Sequence, residues 1–308
     1  MSSVIVKGIS KTYAKEQVLA LDNVSFEITE GTIFGLIGPD GAGKTTLFRI
    51  LTTLILADEG EAWVDGSEVV TEYKSIRKKV GYMPGKFSLY QDLTVLENLQ
   101  FFATIFGSKI EENMSLIHDI YIQIEPFKHR KAGQLSGGMK QKLALCCALI
   151  HEPKILFLDE PTTGVDPVSR KEFWDMLYSL KKKGITILVS TPHMDEAARC
   201  DQIALIQAGK IMAVNTPKQI ISHYHGPLYQ ISTQKTYELL QDMKQIEQID
   251  LVYVYGEFVH FTLKNKGINA IDSLKKYLQA KNHDATSIEA IEPEIEDCFI
   301  QLMTKQSA

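Results

Sequence analysis

The chain has no long hydrophobic run. Its longest, residues 143–150, is far shorter than the ~20 apolar residues a membrane-spanning helix needs. It has no excess of positive charge either: 33 Lys and Arg against 38 Asp and Glu in 308 residues give a formal net charge of −5. That balance excludes the basic field of a nucleic-acid binder, so no nucleic-acid partner is expected. Cysteines number only four, Cys146, Cys147, Cys200 and Cys298, and none stands at a metal-ligand spacing. Cys146 and Cys147 are adjacent within an apolar helical run, where they read as core thiols of a protein in a reducing compartment. Met1-Ser2-Ser3-Val4-Ile5-Val6-Lys7 contains no apolar signal core. Repeats and low-complexity segments are absent as well. These absences predict a soluble protein with enough core for one large domain and a smaller one, any membrane role of which needs a separate partner.

What the chain does have is Gly38-Pro39-Asp40-Gly41-Ala42-Gly43-Lys44-Thr45, a fit to G-x-x-x-x-G-K-[ST]. Residues 32–37 before it read as a buried strand, and residues 44–54 after it as a helix with Leu47, Ile50 and Leu51 on one face. Gly38, Gly41 and Gly43 let the backbone wrap a phosphate with its N–H groups pointing inward, and the helix N-terminus adds partial positive charge. Lys44 would reach the β- and γ-phosphates, the Thr45 hydroxyl would ligate Mg²⁺, and Asp40 and Thr46 complete the cradle. The alternative is a glycine-rich strand–helix turn that holds nothing; the strand before and the helix after disfavour it.

Along the chain, residues 4–13 and 18–28 read as two strands, and Ala62-Trp63-Val64 with Asp65-Gly66 as a strand and turn. Residues 87–150 turn helical, with helices expected at 94–106, 114–125 and 137–150. Strand and helix then alternate: a strand at 155–158, a helix at 169–182, a strand at 185–190 and a hairpin from 202–207 and 210–214. This pattern predicts an α/β core on a mostly parallel sheet with an inserted helical subdomain. A boundary falls near 223–227, giving domains at 1–223 and 228–308. Strands expected at 228–232, 251–255, 258–263 and 285–290, with helices at 236–243 and 268–279, give a β-α-β-β-α-β order. That order is the ferredoxin-like arrangement.

Two further stretches carry chemistry. Ile155-Leu156-Phe157-Leu158-Asp159-Glu160 is an apolar strand ending in two carboxylates, which are costly to bury unless a cation sits beside them. Mg²⁺ would be that cation, with Asp159 holding it and Glu160 polarising the attacking water. A helix-capping Asp-Glu pair before Pro161 is the plain alternative. Gln134-Leu135-Ser136-Gly137-Gly138-Met139-Lys140-Gln141 opens the next helix; Ser136 is a good N-cap, and Gly137 and Gly138 leave N–H groups open for a second anion.

With these stretches in this order, the chain resembles an ATP-binding subunit of an ABC transporter over nearly its whole length. The resemblance implies a P-loop NTPase core with an antiparallel β subdomain, binding ATP with Mg²⁺. It makes Ser136, Gly137 and Gly138 the family signature and Thr163-Gly164-Val165-Asp166 the loop through which two ATPase halves communicate. His193 becomes the switch histidine at the γ-phosphate, and Tyr13 the aromatic stacked on adenine. Pro293-Glu294-Ile295-Glu296-Asp297-Cys298-Phe299-Ile300 is similar to the closing segment of multidrug exporter ATPases of the daunorubicin-resistance type. Lys7 to Tyr13, Gly81-Tyr82-Met83-Pro84 and Leu93-Thr94-Val95 suit that subgroup too. The subgroup implies a separate membrane permease, a place on the cytoplasmic face of the membrane, and export. One copy of each motif implies a homodimer or a paired ATPase. A soluble ABC ATPase outside transport and a weakly hydrolysing, nucleotide-gated module are the alternatives. Two residues depart from the family pattern: Asp40 stands for a common Asn, and Gly85 for the glutamine that touches Mg²⁺.

Overall fold

The computed structural model describes residues 1–13, 17–233, 235–264, 270–281, 283 and 287–306. Residues 14–16 of the expected linker, and the starts of the helix and strand expected at 268 and 285, lie outside the described residues. The chain divides into two compact units, Met1–Pro217 and Lys218–Ala308.

The first unit begins with β1 (Ser2–Tyr13) and β2 (Val18–Thr29), followed by β3 (Ile33–Ile37) and α1 (Lys44–Leu51). Next come β4 (Glu59–Val64), β5 (Ser67–Glu68), α2 (Tyr73–Lys79) and β6 (Val80–Met83). The helical block holds α3 (Val95–Phe106), α4 (Met114–Tyr121) and α5 (Gly137–Leu149). Then β7 (Ile155–Asp159), α6 (Pro167–Lys182) and β8 (Thr186–Thr191) alternate, and β9 (Gln202–Gln207) and β10 (Lys210–Asn215) form a hairpin.

Burial alternates along β1 and β2, with Val4, Val6, Leu21, Val24, Phe26 and Ile28 turned inward. They belong to an antiparallel sheet of order β2-β1-β4-β5 that is wet on its other face. The second sheet has the order β10-β9-β3-β8-β7-β6 and is parallel except for the β9–β10 hairpin. Every residue of β3, β7 and β8 is buried, as expected of central parallel strands covered on both faces. Phe48 of α1 packs edge-on against Phe157 of β7, with ring centroids 5.6 Å apart. Both side chains are fully buried, each worth about 1.5–3 kcal/mol of burial, so α1 is held flat on the sheet.

Register places the carboxyl ends of three strands side by side. Ile37 of β3 pairs with Thr191 of β8, and Asp159 of β7 with Ser190 of β8. The loops after these strands therefore open on one edge, where an open parallel sheet holds its ligands. A capping box starts α3: Thr94 Oγ1 accepts from the Glu97 N–H, and Glu97 accepts from the Thr94 N–H at 2.7 Å. The fully buried Asn98 amide bonds both the N–H and the C=O of Tyr90, fixing the path into the helical block.

After α7 (Pro217–Ser222), the second unit runs β11 (Leu228–Ser232), α8 (Thr236–Lys244), β12 (Ile249–Tyr255) and β13 (Phe258–Leu263). It ends with α9 (Ala270–Ala280), β14 (Ile288–Ile291) and α10 (Ile295–Gln306). Its sheet is antiparallel with the order β12-β13-β11-β14, and it buries Ile231, Leu239, Met243, Phe261 and Leu278. Counted along this unit, the strand order is 4-1-3-2 on a β-α-β-β-α-β path, the ferredoxin-like arrangement.

Candidate functional site

Gly38 follows the last residue of β3, and its N–H donates to the Thr191 carbonyl at 3.2 Å, tying the start of the loop to the end of β8. A Cβ on Gly38 would lie 2.2 Å from the Ile206 carbonyl, so only glycine fits there. Gly43 caps α1 with φ of 103°, a left-handed conformation that favours glycine. Lys44 is 3% exposed, and its ammonium donates to the carbonyls of Gly38 at 2.8 Å and Pro39 at 3.0 Å. It also lies 3.2 Å from Glu160. A buried ammonium is costly without such partners.

Asp159 is 2% exposed at the end of β7. The Ser190 hydroxyl donates to it at 2.5 Å, and Ser190 also accepts from the Glu160 N–H at 3.0 Å. Glu160 itself turns the chain with φ of 49°. No helix begins at Pro161, so the Asp-Glu pair ends a strand and caps nothing. The His193 N–H bonds the Thr191 hydroxyl at 3.0 Å, and His193 opens a short 3₁₀ turn, Met194–Arg199, on the same edge of the sheet. The Tyr13 hydroxyl lies 3.3 Å from the Thr46 hydroxyl, which sets this ring against the first turn of α1. Gly38, Lys44, Asp159, Glu160 and His193 are thus gathered at the ends of three adjacent strands, with Tyr13 on the flank.

The remaining predicted residues form a second group. Ser136 caps α5 by accepting from the Met139 N–H at 3.4 Å. Gly138 faces α6, where an added Cβ would come within 2.8 Å of Ser169 Oγ. Asp166 caps α6 by accepting from the N–H groups of Val168 and Ser169 at 3.1 and 3.0 Å. The Ser169 N–H bond is the largest influence holding the Asp166 carboxyl below its ordinary range. Tyr82 of β6 is pushed up to about 12, first by burial and then by the Asp159 carboxylate.

Sequence reasoning did not single out Ser190, which bonds the Asp159 carboxylate and the Glu160 N–H, or Asp166 as a helix cap. The Asp166-Pro167 pair carried the signal for the cap, since Pro favours the first helical position. Nothing local marks Ser190; its role arises from strand register.

The cradle fits a triphosphate with its metal. Among the described residues, the main-chain N–H groups of Gly41, Gly43, Lys44, Thr45 and Thr46 bond no protein group, and neither does the Thr45 hydroxyl. These donors lie at the N-terminus of α1, the end of a helix that favours an anion. Thr45 and Asp159 supply the hard oxygen donors that Mg²⁺ takes.

Residues 21–163 match the ABC transporter family model. The chain is 35% identical over 305 residues to the probable multidrug ABC transporter ATP-binding protein YbhF of Escherichia coli K12, covering 97% of this chain and 52% of YbhF. This chain therefore spans about half the length of that relative. It is 38% identical over 229 residues to the doxorubicin resistance ATP-binding protein DrrA of Mycobacterium tuberculosis H37Rv, covering 71% of this chain and 67% of DrrA. Among solved structures, the ATP-binding cassette MJ0796, a dimer in a post-hydrolysis state bound to ADP and Pi, superimposes with a TM-score of 0.62. It is 29% identical and covers 69% of this chain and 98% of its own.

Proposed function

Since the chain belongs to the ABC transporter ATP-binding proteins, we propose that it hydrolyses Mg-ATP and powers export through a membrane permease carried on a separate chain. The observation that carries this reading is the convergence of Lys44, Asp159, Glu160 and His193 at the carboxyl ends of β3, β7 and β8.

The free N–H groups of Gly41, Gly43, Lys44, Thr45 and Thr46 would hold the phosphates, and Lys44 would exchange its loop carbonyls and Glu160 for phosphate oxygens. Bound Mg²⁺ supplies charge neutralisation at the terminal phosphates and would be held by Thr45 and Asp159. Ser190 keeps Asp159 aimed by its short hydrogen bond. Glu160, released from Lys44, would accept a proton from the attacking water, and His193 would contact the γ-phosphate. Tyr13 would stack on the adenine, worth about 1–3 kcal/mol. Catalysis here is positioning and charge stabilisation, as for phosphoryl transfer generally.

Ser136, Gly137 and Gly138 at the start of α5, and Asp166 at the start of α6, would serve the ATP of a second copy or of a paired ATPase. The dimeric state of MJ0796 supports that arrangement. Residues 1–223 would form the ATPase domain, with residues 228–308 as an accessory domain. Among the described residues no helix is long and apolar enough to cross a membrane, which suits a separate permease. A groove of about 890 Å³ lined by Tyr82, Gly85, Phe87, Phe102, Ile105 and Phe106 offers an apolar seat for it. The chain would then work on the cytoplasmic face of the membrane. Similarity to multidrug and doxorubicin resistance proteins supports export.

Gly85 favours a second reading, a nucleotide-gated module that hydrolyses slowly, because it supplies no side chain to the metal. Phosphate release and ATP binding by the wild type and Lys44→Ala test the main reading. Lys44→Ala should bind ATP at least about tenfold more weakly, since a hydrogen bond to a charged group contributes about 1.5–3 kcal/mol. Equal affinity in the two proteins would remove the phosphate-loop assignment.

A further inference from the structure

Glu196 is a carboxylate in an unexpected place. Its side chain is 0% exposed, yet it lies in the short turn that His193 opens, and its N–H donates to the His193 carbonyl at 3.2 Å. One carboxylate oxygen, Oε1, accepts from Thr162 Oγ1 at 2.8 Å and from Trp174 Nε1 at 3.1 Å. Arg170 Nε stands 3.7 Å from the same oxygen. The other oxygen, Oε2, is buried with no hydrogen-bond partner among the described residues, and so is Arg170 Nε.

Burying a carboxylate costs several kcal/mol unless it is well paired, and an under-satisfied one is a poor device for stability alone. Its partners suggest a different role. Thr162 is 1% exposed and stands two residues after Glu160. The chain there folds into consecutive turns, with the Thr163 N–H on the Glu160 carbonyl at 3.3 Å and the Val165 N–H on the Thr162 carbonyl at 3.2 Å. Pinning Thr162 therefore fixes where Glu160 enters the turn. Trp174 and Arg170 lie on α6, the helix that Asp166 caps. A single buried carboxylate thus joins the segment carrying Glu160, the helix opened by Asp166 and the turn opened by His193.

We propose that Glu196 is a positioning residue for ATP hydrolysis, keeping Glu160, His193 and Asp166 in register through Thr162, Trp174 and its own turn. This rests on the reading of the chain as an ATPase. Among the described residues, neither Glu196 nor Thr162, Trp174 or Arg170 makes a hydrogen bond or ion pair with the phosphate loop, so turnover should respond while nucleotide binding does not.

The test is kcat, KM and ATP affinity for full-length wild type, Glu196→Ala, Glu196→Gln, Thr162→Val and the Glu196→Ala/Thr162→Val pair, each beside its Tm. Misplacing a reacting group by ~1 Å costs on the order of 100-fold, which is the loss in kcat expected for Glu196→Ala. Glu196→Gln keeps an oxygen for Thr162 and Trp174 and should recover most of that loss. Thr162→Val, nearly isosteric and remote from substrate, should lower kcat about tenfold with ATP affinity unchanged, as for loss of an orienting hydrogen bond. Adding it to Glu196→Ala should cost nothing more, since both act through one contact. Should Glu196→Ala fail to fold, Thr162→Val and Trp174→Phe carry the same expectation. Wild-type kcat in Thr162→Val, or kcat and ATP affinity falling together, overturns the proposal. A wild type that releases no phosphate overturns the ATPase reading, and this proposal with it.

Discussion

Gly85 is the residue at which this chain most clearly departs from the family pattern, and its surroundings limit what a side chain there could do. A Cβ would lie 3.0 Å from the Asp159 carbonyl oxygen and 3.7 Å from the Glu160 Cβ, so position 85 borders both acidic residues. Its φ is outside the left-handed region, and a side chain requires only that β7's end yield by a few tenths of an ångström. Gly85→Gln would then bring an amide oxygen toward Asp159, one of the residues proposed to hold the metal. Loss of an orienting contact around a metal typically costs roughly 10–100-fold, so Gly85→Gln should speed turnover or tighten Mg²⁺ dependence by up to that factor. Of the residues that could substitute for the missing amide, Gln91 packs against Gly133, while Lys86 and Ser88 are exposed. Turnover and Mg²⁺ titrations of the two proteins side by side decide the matter. Matching curves would mean that another group already does the work of the glutamine.

At the scale of elements, what could be read from sequence followed from burial. β3, β7 and β8 are built round apolar runs at 33–37, 155–158 and 187–189 and were legible, as were α1 from its apolar face and α5 from its Ser136 cap. α2 was not, because Ile76 is its only buried residue and a polar helix carries no period to detect. β6 is four residues long and includes Gly81, so it signalled as a motif without declaring itself a strand. Within the site, residues in contiguous motifs were legible. Ser190 and Glu196 were not, because their partners are 31 and 34 residues away in sequence and meet them only through strand and loop register. The closing segment of the second unit was noticed as a motif, and the structure gives it a physical role. Asp297, 0% exposed, accepts from His260 at 2.8 Å, from the Tyr253 hydroxyl at 2.5 Å and from the Glu294 N–H at 2.7 Å, anchoring α10 to β12 and β13. Burial works to raise its pKa, but these bonds together hold it below the ordinary carboxylate value. A carboxyl depressed in the folded state stabilises it fully above the unfolded value, about 4, and loses that contribution as pH falls through the folded value. Asp297→Asn should therefore weaken hydrogen-exchange protection of residues 295–304 at neutral pH, and the gap from wild type should shrink below about pH 4. A gap independent of pH would show that the charge of Asp297 contributes nothing.

At the scale of the whole molecule, the first unit carries two groups of residues proposed to bind nucleotide. Lys44, Asp159, Glu160 and His193 meet at the ends of β3, β7 and β8, whereas Ser136, Gly138 and Asp166 meet at the starts of α5 and α6. On the proposed reading the two groups serve different ATPs and a second chain supplies the complement, so pairing and hydrolysis stand or fall together. The ion pair between Lys44 and Glu160 couples phosphate binding to hydrolysis, since the carboxylate that would activate water is held by the cation that would hold phosphate. Replacing Glu160 by Gln removes the proton acceptor, frees Lys44 for phosphate and keeps the side-chain shape. The most direct measurement is sedimentation of Glu160→Gln with Mg-ATP beside an assay of phosphate release. General-base assistance contributes roughly 10²–10⁴-fold, so the variant should lose turnover by about that factor, bind ATP at least as tightly as wild type, and sediment as a nucleotide-dependent dimer. Near-normal phosphate release, from a protein that stays monomeric with ATP, would contradict both the role of Glu160 and the shared site.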